Sequence, residues 1–163
     1  MTERRRTFAY LICINEYKST EVPNLNGCRN DGDKFAEFLG RNFPVPAPQI
    51  QRLDDAAATF DGIMSLFDNA SSNHDIQKGD LVIFFYAGHG TRTKAPENWV
   101  TDDGLVELIC PHDIDTNNGR ADIHGIPDFV IGSTLGDIAN TRGANVVSLP
   151  ASLSDLSFTK IRV

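Results

Sequence analysis

The sequence contains few cysteines, little basic charge and no long apolar run. Its three cysteines, Cys13, Cys28 and Cys110, are an odd number without the paired spacing of a zinc site, so free thiols are expected rather than a disulfide framework. Lysine and arginine number 15 against 22 acidic residues, and the net charge of -7 argues against a nucleic-acid partner. Because no apolar stretch approaches the roughly 20 residues that cross a bilayer, no membrane partner is expected either.

The amino-terminal residues are not expected to form a secretory signal. Three arginines at 4–6 precede an apolar run at 8–14, but the run is short, and polar residues 15–18 stand where a small-residue cleavage site would be needed. The run is therefore interpreted as a buried strand. The chain is expected to be cytoplasmic, in a reducing compartment that suits free thiols.

The most apolar stretch, residues 81–86 (LVIFFY), consists of six apolar or aromatic residues. It predicts a strand buried on both faces, as in a parallel sheet covered by helices. The stretch leads into Gly88, His89 and Gly90, and two glycines allow the backbone to approach a neighbour closely. Since ligands of open α/β sheets lie beyond the carboxyl ends of the strands, His89 is the histidine placed for chemistry. The alternative is a turn histidine that caps a core strand.

Strand and helix patterns alternate along the chain, which indicates one α/β domain with parallel strands and right-handed crossovers. Asn30 or Asp31 is predicted to cap the first helix, and Thr59 the second. After His89, the Asp103-Gly104 step predicts a small hairpin, and Pro150 is predicted to end the last strand. The predicted strands are 8–14, 50–53, 81–86, 105–110 and 145–149, and the last predicted helix is 126–140.

Four stretches together resemble the caspase-like cysteine peptidases, and among them the metacaspases. They are 10–17 (YLICINEY), 25–31 (LNGCRND), 84–90 (FFYAGHG) and 104–113 (GLVELICPHD) followed by 126–128 (IPD). The glycine-histidine motif is weak alone, but four motifs in this order are specific. The resemblance implies a caspase-like three-layer sandwich over residues 7–149, with residues 150–163 as an atypical tail.

The resemblance also implies the chemistry of a cysteine endopeptidase, in which a thiolate attacks a peptide carbonyl. It assigns His89 as the acid–base group and the Gly90 N–H as one oxyanion donor. Asp31 would line the pocket for a basic substrate side chain, with Cys28 beside it. The alternatives from the residues themselves are a helix N-cap for Asp31 and a small loop residue for Cys28.

The departure from the family is the nucleophile. The family carries its cysteine just after the strand that follows the last helix, whereas here no cysteine follows Cys110. The chain is therefore expected to match the front part of a large catalytic subunit and to be inactive by itself, as a pseudo-peptidase. Its expected partners are a peptide or protein substrate, a second copy, or a full-length relative.

There are two alternatives to this function. An active enzyme could use Cys28 as a substitute nucleophile, but the thiol would then approach from the wrong strand. A flavodoxin-like or receiver-like module would place a helix directly after residues 81–86. Pro96, Trp99 and the Asp-Gly turn argue against that helix.

No cofactor is expected, although metacaspases carry a calcium site. Asp128 matches one of its acidic positions, but Val106 and Pro127 stand where further acids are usual. The other acids in this part of the chain are assigned to turns and caps, and the histidines besides His89 to solvated loops or helix ends. These residues are Asp102, Asp103, Glu107, Asp113, His74, His112 and His124.

Overall fold

The computed structural model describes residues 5–43, 45–97, 99, 101–115 and 125–150. Its elements in chain order are β1 (Thr7–Cys13), α1 (Cys28–Asn42), β2 (Ile50–Asp54), α2 (Phe60–Ser72), β3 (Leu81–Ala87), β4 (Gly90–Lys94), β5 (Leu105–Ile109), β6 (Ile126–Pro127), α3 (Asp128–Arg142) and β7 (Asn145–Pro150). Short 3-10 turns at Ala47–Gln49 and Asp55–Ala57 flank β2.

The main sheet has four strands in the order β2-β1-β3-β7, and every pairing is parallel. This confirms the predicted α/β fold and the predicted pairing of the first strand with the 81–86 strand. The register sets Cys13 opposite Ala87, so β1 and β3 end side by side. The segments that follow these two strands therefore meet at one edge of the sheet.

Helices cover both faces of the sheet, because successive side chains of a strand point to opposite faces. Tyr10 and Ile12 belong to the larger core beneath α2 and α3, whereas Leu11 and Cys13 belong to the core beneath α1. Phe84 and Phe85 divide in the same way on β3. These two cores give the three layers that the resemblance implied.

The start of α1 differs from the prediction. Neither Asn30 nor Asp31 is the cap: the helix begins at Cys28 behind Gly27, whose position has no side-chain cap. The amide of Cys28 instead donates to the Asn15 side chain at 2.9 Å, which supplies the acceptor that a helix amino terminus needs. For α2 the prediction is confirmed, since the Thr59 hydroxyl accepts from the Gly62 amide at 3.1 Å.

The predicted hairpin is confirmed, with β4 and β5 antiparallel and a turn glycine, Gly104, at φ +74°. A third strand joins it that the sequence did not indicate. Ile126 was predicted to be helical, but it pairs with Ile109, and α3 begins two residues later behind an extended Pro127 at ψ 143°. Pro127 is the N-cap of α3, and proline has no backbone amide to leave unpaired there.

The edge strand β7 of the main sheet pairs with β3. This pairing extends to Pro150, which lies opposite Tyr86. Pro150 was predicted to stop the strand and is instead its last residue. The tail that was predicted to follow falls on residues 151–163, outside the described residues. Within the described part of the chain, no helix has both the length and the apolar character needed to cross a membrane.

Candidate active site

His89 lies two residues beyond the carboxyl end of β3 and is partly exposed, in the position the sequence predicted. The parallel neighbour β1 ends beside it, and the Ile14 amide donates to the Ala87 carbonyl at 2.8 Å. The loop that follows β1, residues 14–27, therefore runs past His89. This neighbourhood results from the strand register rather than from any local motif.

The imidazole of His89 is oriented by that loop. Its Nε2 lies 2.8 Å from the carbonyl oxygen of Pro23, and a carbonyl oxygen can only accept, so Nε2 carries the hydrogen. In the neutral ring this leaves Nδ1 as the free base. The Tyr17 ring packs beside the imidazole with 5.1 Å between the centroids. The side chain is thus held with one nitrogen available for proton transfer.

Cys28 and Asp31 lie together in the first turn of α1, not in the loop before it. Cys28 is buried and Asp31 is half-buried. Burial, followed by the nearby Asp31 carboxylate, raises the pKa of the Cys28 thiol. Asp31 also borders a shallow depression of about 370 Å³, whose other lining residues are Lys34, Phe35, Phe38 and Phe85.

The structure brings two pairs of residues, His89 with Gly90 and Cys28 with Asp31, to the same edge of the sheet without joining the pairs directly. The imidazole and amide of His89 bond to Pro23 and Tyr17, whereas the amide of Cys28 bonds to Asn15. Gly90 opens β4 and is exposed. The roles that the resemblance assigns to His89, Gly90, Asp31 and Cys28 stay predictions.

All three cysteines are free and buried, as the sequence predicted. Burial raises the pKa of Cys13 to about 12 and that of Cys110 to about 12. Because the thiolate and not the thiol is the nucleophile, none of the three has the environment of an activated cysteine.

Several residues of the site were missed by the sequence analysis. Pro23 contributes a backbone carbonyl, and Tyr17 and Tyr86 contribute hydroxyls that bond the backbone of His89. Asp55, a non-glycine residue at φ 42°, accepts from the Asn15 amide at 2.7 Å and so holds the loop in place. The available signal was the position of Asp55 at the carboxyl end of a strand.

The acidic residues around the hairpin make turn, cap and ion-pair contacts. Asp103 accepts from the Leu105 amide at 3.0 Å, and Asp113 caps α2 by accepting from the Phe60 amide at 2.8 Å; both roles were predicted. Glu107 pairs with Arg92 at 2.5 Å. Within the described ranges, no group of three or more His, Cys, Asp or Glu side chains is arranged to hold a metal. The expectation of no cofactor stays a prediction.

The histidines besides His89 differ in how well their exposure matches the prediction. His74 is exposed near the end of α2, as predicted. His112 was predicted to be solvated but is half-buried, with Nδ1 2.7 Å from the Glu16 carbonyl, because the segment after β5 packs on the loop after β1. His124 lies outside the described residues.

Comparison with known proteins agrees with this geometry. The family model of the caspase domain matches residues 6–127. Metacaspase-1 of Plasmodium falciparum is 32% identical in an alignment 116 residues long, which covers 66% of this chain and 18% of that protein. A Geobacter sulfurreducens protein of known crystal structure has a TM-score of 0.67 at 21% identity and covers 89% of this chain, against 49% of its own length.

The chain thus spans less than a fifth of that Plasmodium relative's length, and the likeness to the crystal structure concerns the fold alone. The family itself follows from the match over most of the chain, together with a parallel sheet that carries His89 beyond its third strand. The chain belongs to the caspase-domain family and is similar to the metacaspases.

Proposed function

We propose that the chain is a caspase-like peptidase domain that binds peptides with a basic residue before the scissile bond but does not cleave them by itself. The observation that carries this proposal is a contrast within one site. His89 has an oriented imidazole with a free Nδ1, whereas all three cysteines are buried free thiols. An oriented imidazole is therefore present, and none of the three thiols lies in an activating environment.

The reaction of the family explains what each residue would contribute. The sulfur of a thiolate attacks the peptide carbonyl, the C–N bond breaks, and an imidazolium gives its proton to the leaving amine. His89 would supply that proton from Nδ1, and the Gly90 amide would face the oxyanion. The carboxylate of Asp31 would pair with the arginine or lysine of the substrate.

Cys28 is a poor substitute for the missing nucleophile. Its side chain is 4% exposed, and both burial and the Asp31 carboxylate raise its pKa. A catalytic cysteine needs the opposite environment, partly exposed and electropositive. These features support the inactive domain over an enzyme that uses Cys28.

The activity test is expected to show no hydrolysis. The purified chain is incubated, with calcium present, with peptides that carry arginine or lysine before the scissile bond, and its rate should equal that of His89→Ala. Cleavage that is abolished by Cys28→Ala but retained by Cys110→Ala would instead establish Cys28 as the nucleophile.

The binding half of the proposal has its own measurement. Asp31→Asn should weaken the binding of an arginine peptide about tenfold or more, since a charge-assisted hydrogen bond is lost. Asp33→Asn is the matched control, because the Asp33 side chain is 69% exposed and pairs with Arg52. Equal affinities of the two variants would exclude Asp31 from the pocket.

We also propose that the chain associates with itself or with a full-length relative through β7. Among the described strands β7 has one neighbour, β3, and Leu149 on it is exposed; an open strand edge templates pairing. Size-exclusion chromatography over a concentration series should show concentration-dependent association. A concentration-independent monomer that melts well above about 60 °C, near the top of the mesophile range, would contradict this idea.

A further inference from the structure

The backbone of His89 is held by two buried tyrosine hydroxyls. The amide of His89 donates to the Tyr17 hydroxyl oxygen at 2.7 Å, and the Tyr86 hydroxyl donates to the carbonyl of His89 at 2.6 Å. The Tyr86 hydroxyl also lies 3.1 Å from the carbonyl oxygen of Cys110. Both backbone polar groups of His89 are therefore bonded by tyrosine side chains.

The direction of each bond follows from the hydrogens available. The backbone amide of His89 can only donate, so the Tyr17 hydroxyl oxygen accepts from it. A carbonyl can only accept, so the single hydrogen of the Tyr86 hydroxyl is donated, over the shorter distance, to the carbonyl of His89. The amide of His89 is thus bonded to the loop that follows β1, and its carbonyl to β3.

Packing leaves the side chains of Tyr17 and Tyr86 little freedom. Tyr86 is 8% exposed and Tyr17 is 7% exposed. A Cβ added to Gly88 would lie 2.6 Å from the Tyr86 hydroxyl and 3.1 Å from the Tyr17 hydroxyl, so the glycine is required for this close approach. The Cys110 amide also donates to the His89 carbonyl at 2.9 Å. Hydrogen bonds in a buried network of this kind reinforce one another.

We propose that Tyr17 and Tyr86 are positioning residues that set the orientation of the His89 imidazole, a role that rests on the function proposed above for His89. The imidazole can donate Nε2–H to the Pro23 carbonyl only if the backbone of His89 is fixed relative to the loop that carries Pro23. The two hydroxyls supply that constraint, because Tyr17 belongs to the same loop and Tyr86 belongs to β3. Together they tie the loop to the strand at the histidine itself.

Burial raises the pKa of Tyr17 and that of Tyr86, so both hydroxyls keep their hydrogens at neutral pH. The bonds of the two hydroxyls to His89 are therefore intact across the pH range in which a histidine exchanges its proton. Proton transfer at Nδ1 then leaves the orientation of the imidazole unchanged.

The test uses nitrogen-15 NMR of the histidine ring in the full chain. In the wild-type chain the His89 shifts should report hydrogen on Nε2, and the Tyr17 and Tyr86 hydroxyl hydrogens should exchange slowly enough for magnetisation transfer to the His89 amide. Tyr17→Phe and Tyr86→Phe should each shift His89 towards a tautomer mixture and speed exchange of its amide roughly tenfold or more. The double variant should add little to either single change, because the two hydroxyls share one partner residue.

Tyr10→Phe is the matched control, since Tyr10 is 1% exposed and its hydroxyl lies 3.5 Å from Asn73, away from His89. It should leave the His89 shifts and amide exchange unchanged. Unchanged His89 signals in both Tyr17→Phe and Tyr86→Phe would overturn the proposal. If Tyr86→Phe does not fold, Tyr17→Phe and the hydroxyl signals of the wild-type chain still decide it.

These readouts need no turnover, so they are independent of the function proposed for the domain. If the positioning role of the two tyrosines is wrong, the NMR signals of His89 stay unchanged in the tyrosine variants, while the peptide-binding difference between Asp31→Asn and Asp33→Asn persists. If the peptide function is wrong, that difference disappears while the NMR shifts persist.

Discussion

Above about pH 9 the folded chain is expected to lose stability steeply, because two buried thiols resist ionisation. The pKa of Cys13 rises from 9.0 to about 12, and that of Cys110 from 9.0 to about 12. A group with a raised folded pKa contributes stability that is complete below its unfolded pKa and is lost as the pH rises towards the folded value. Between these limits, each thiol lowers the free energy of unfolding by about 1.4 kcal/mol per pH unit.

Urea unfolding at a series of pH values checks this expectation. Cys13→Ser and Cys110→Ser each remove one titrating group, so each should reduce the slope of stability against pH, above pH 9, by about 1.4 kcal/mol per unit. Below pH 8 each variant should differ from the wild type by a constant offset, which serves as the internal control. Wild-type slopes in both serine variants would show that these thiols ionise normally in the folded chain.

Phe84→Ala is expected to cost about 3–5 kcal/mol of stability, the usual range for a buried phenylalanine. Phe84 is 4% exposed and lies at the centre of an aromatic cluster, with its ring centroid 4.9 Å from that of Tyr10 and 5.3 Å from that of Phe67. The cluster joins β3 to β1 and α2. Its loss therefore weakens the strand that leads into His89.

The matched control is Phe38→Ala, at a phenylalanine of α1 that is 48% exposed. It should change the free energy of unfolding by about 0.5 kcal/mol or less, as is usual for surface substitutions. Both variants are compared by urea unfolding at neutral pH. Equal losses in the two would contradict the central role of the aromatic cluster in the core.

Much of the fold could be predicted from the sequence because burial is written into local patterns. Residues 81–86 are all apolar or aromatic, and the alternation of such strands with amphipathic helices leaves few topologies. The boundaries were less predictable. The start of α1 depends on Asn15, thirteen residues before Cys28, and β6 depends on a partner in β5.

The candidate site likewise contains residues that could be predicted from the sequence and residues that could not. His89 could be singled out because it follows a buried strand between two glycines, and Asp31 and Cys28 through the resemblance to caspase-like peptidases. Their roles, the Gly90 oxyanion donor and the limits 7–149 and 150–163 stay predictions. Pro23 acts through a backbone carbonyl, which no residue pattern reveals.

By itself, the sequence determined the family, the parallel sheet and the place of His89 at its carboxyl edge, because these depend on local periodicity and on motifs in a fixed order. Only the tertiary structure decided which groups hold that histidine. Tyr17 and His89 are separated by 72 residues along the chain and meet because β1 and β3 pair in one register. Such contacts arise from packing between distant segments, so they exist only once the sheet has formed.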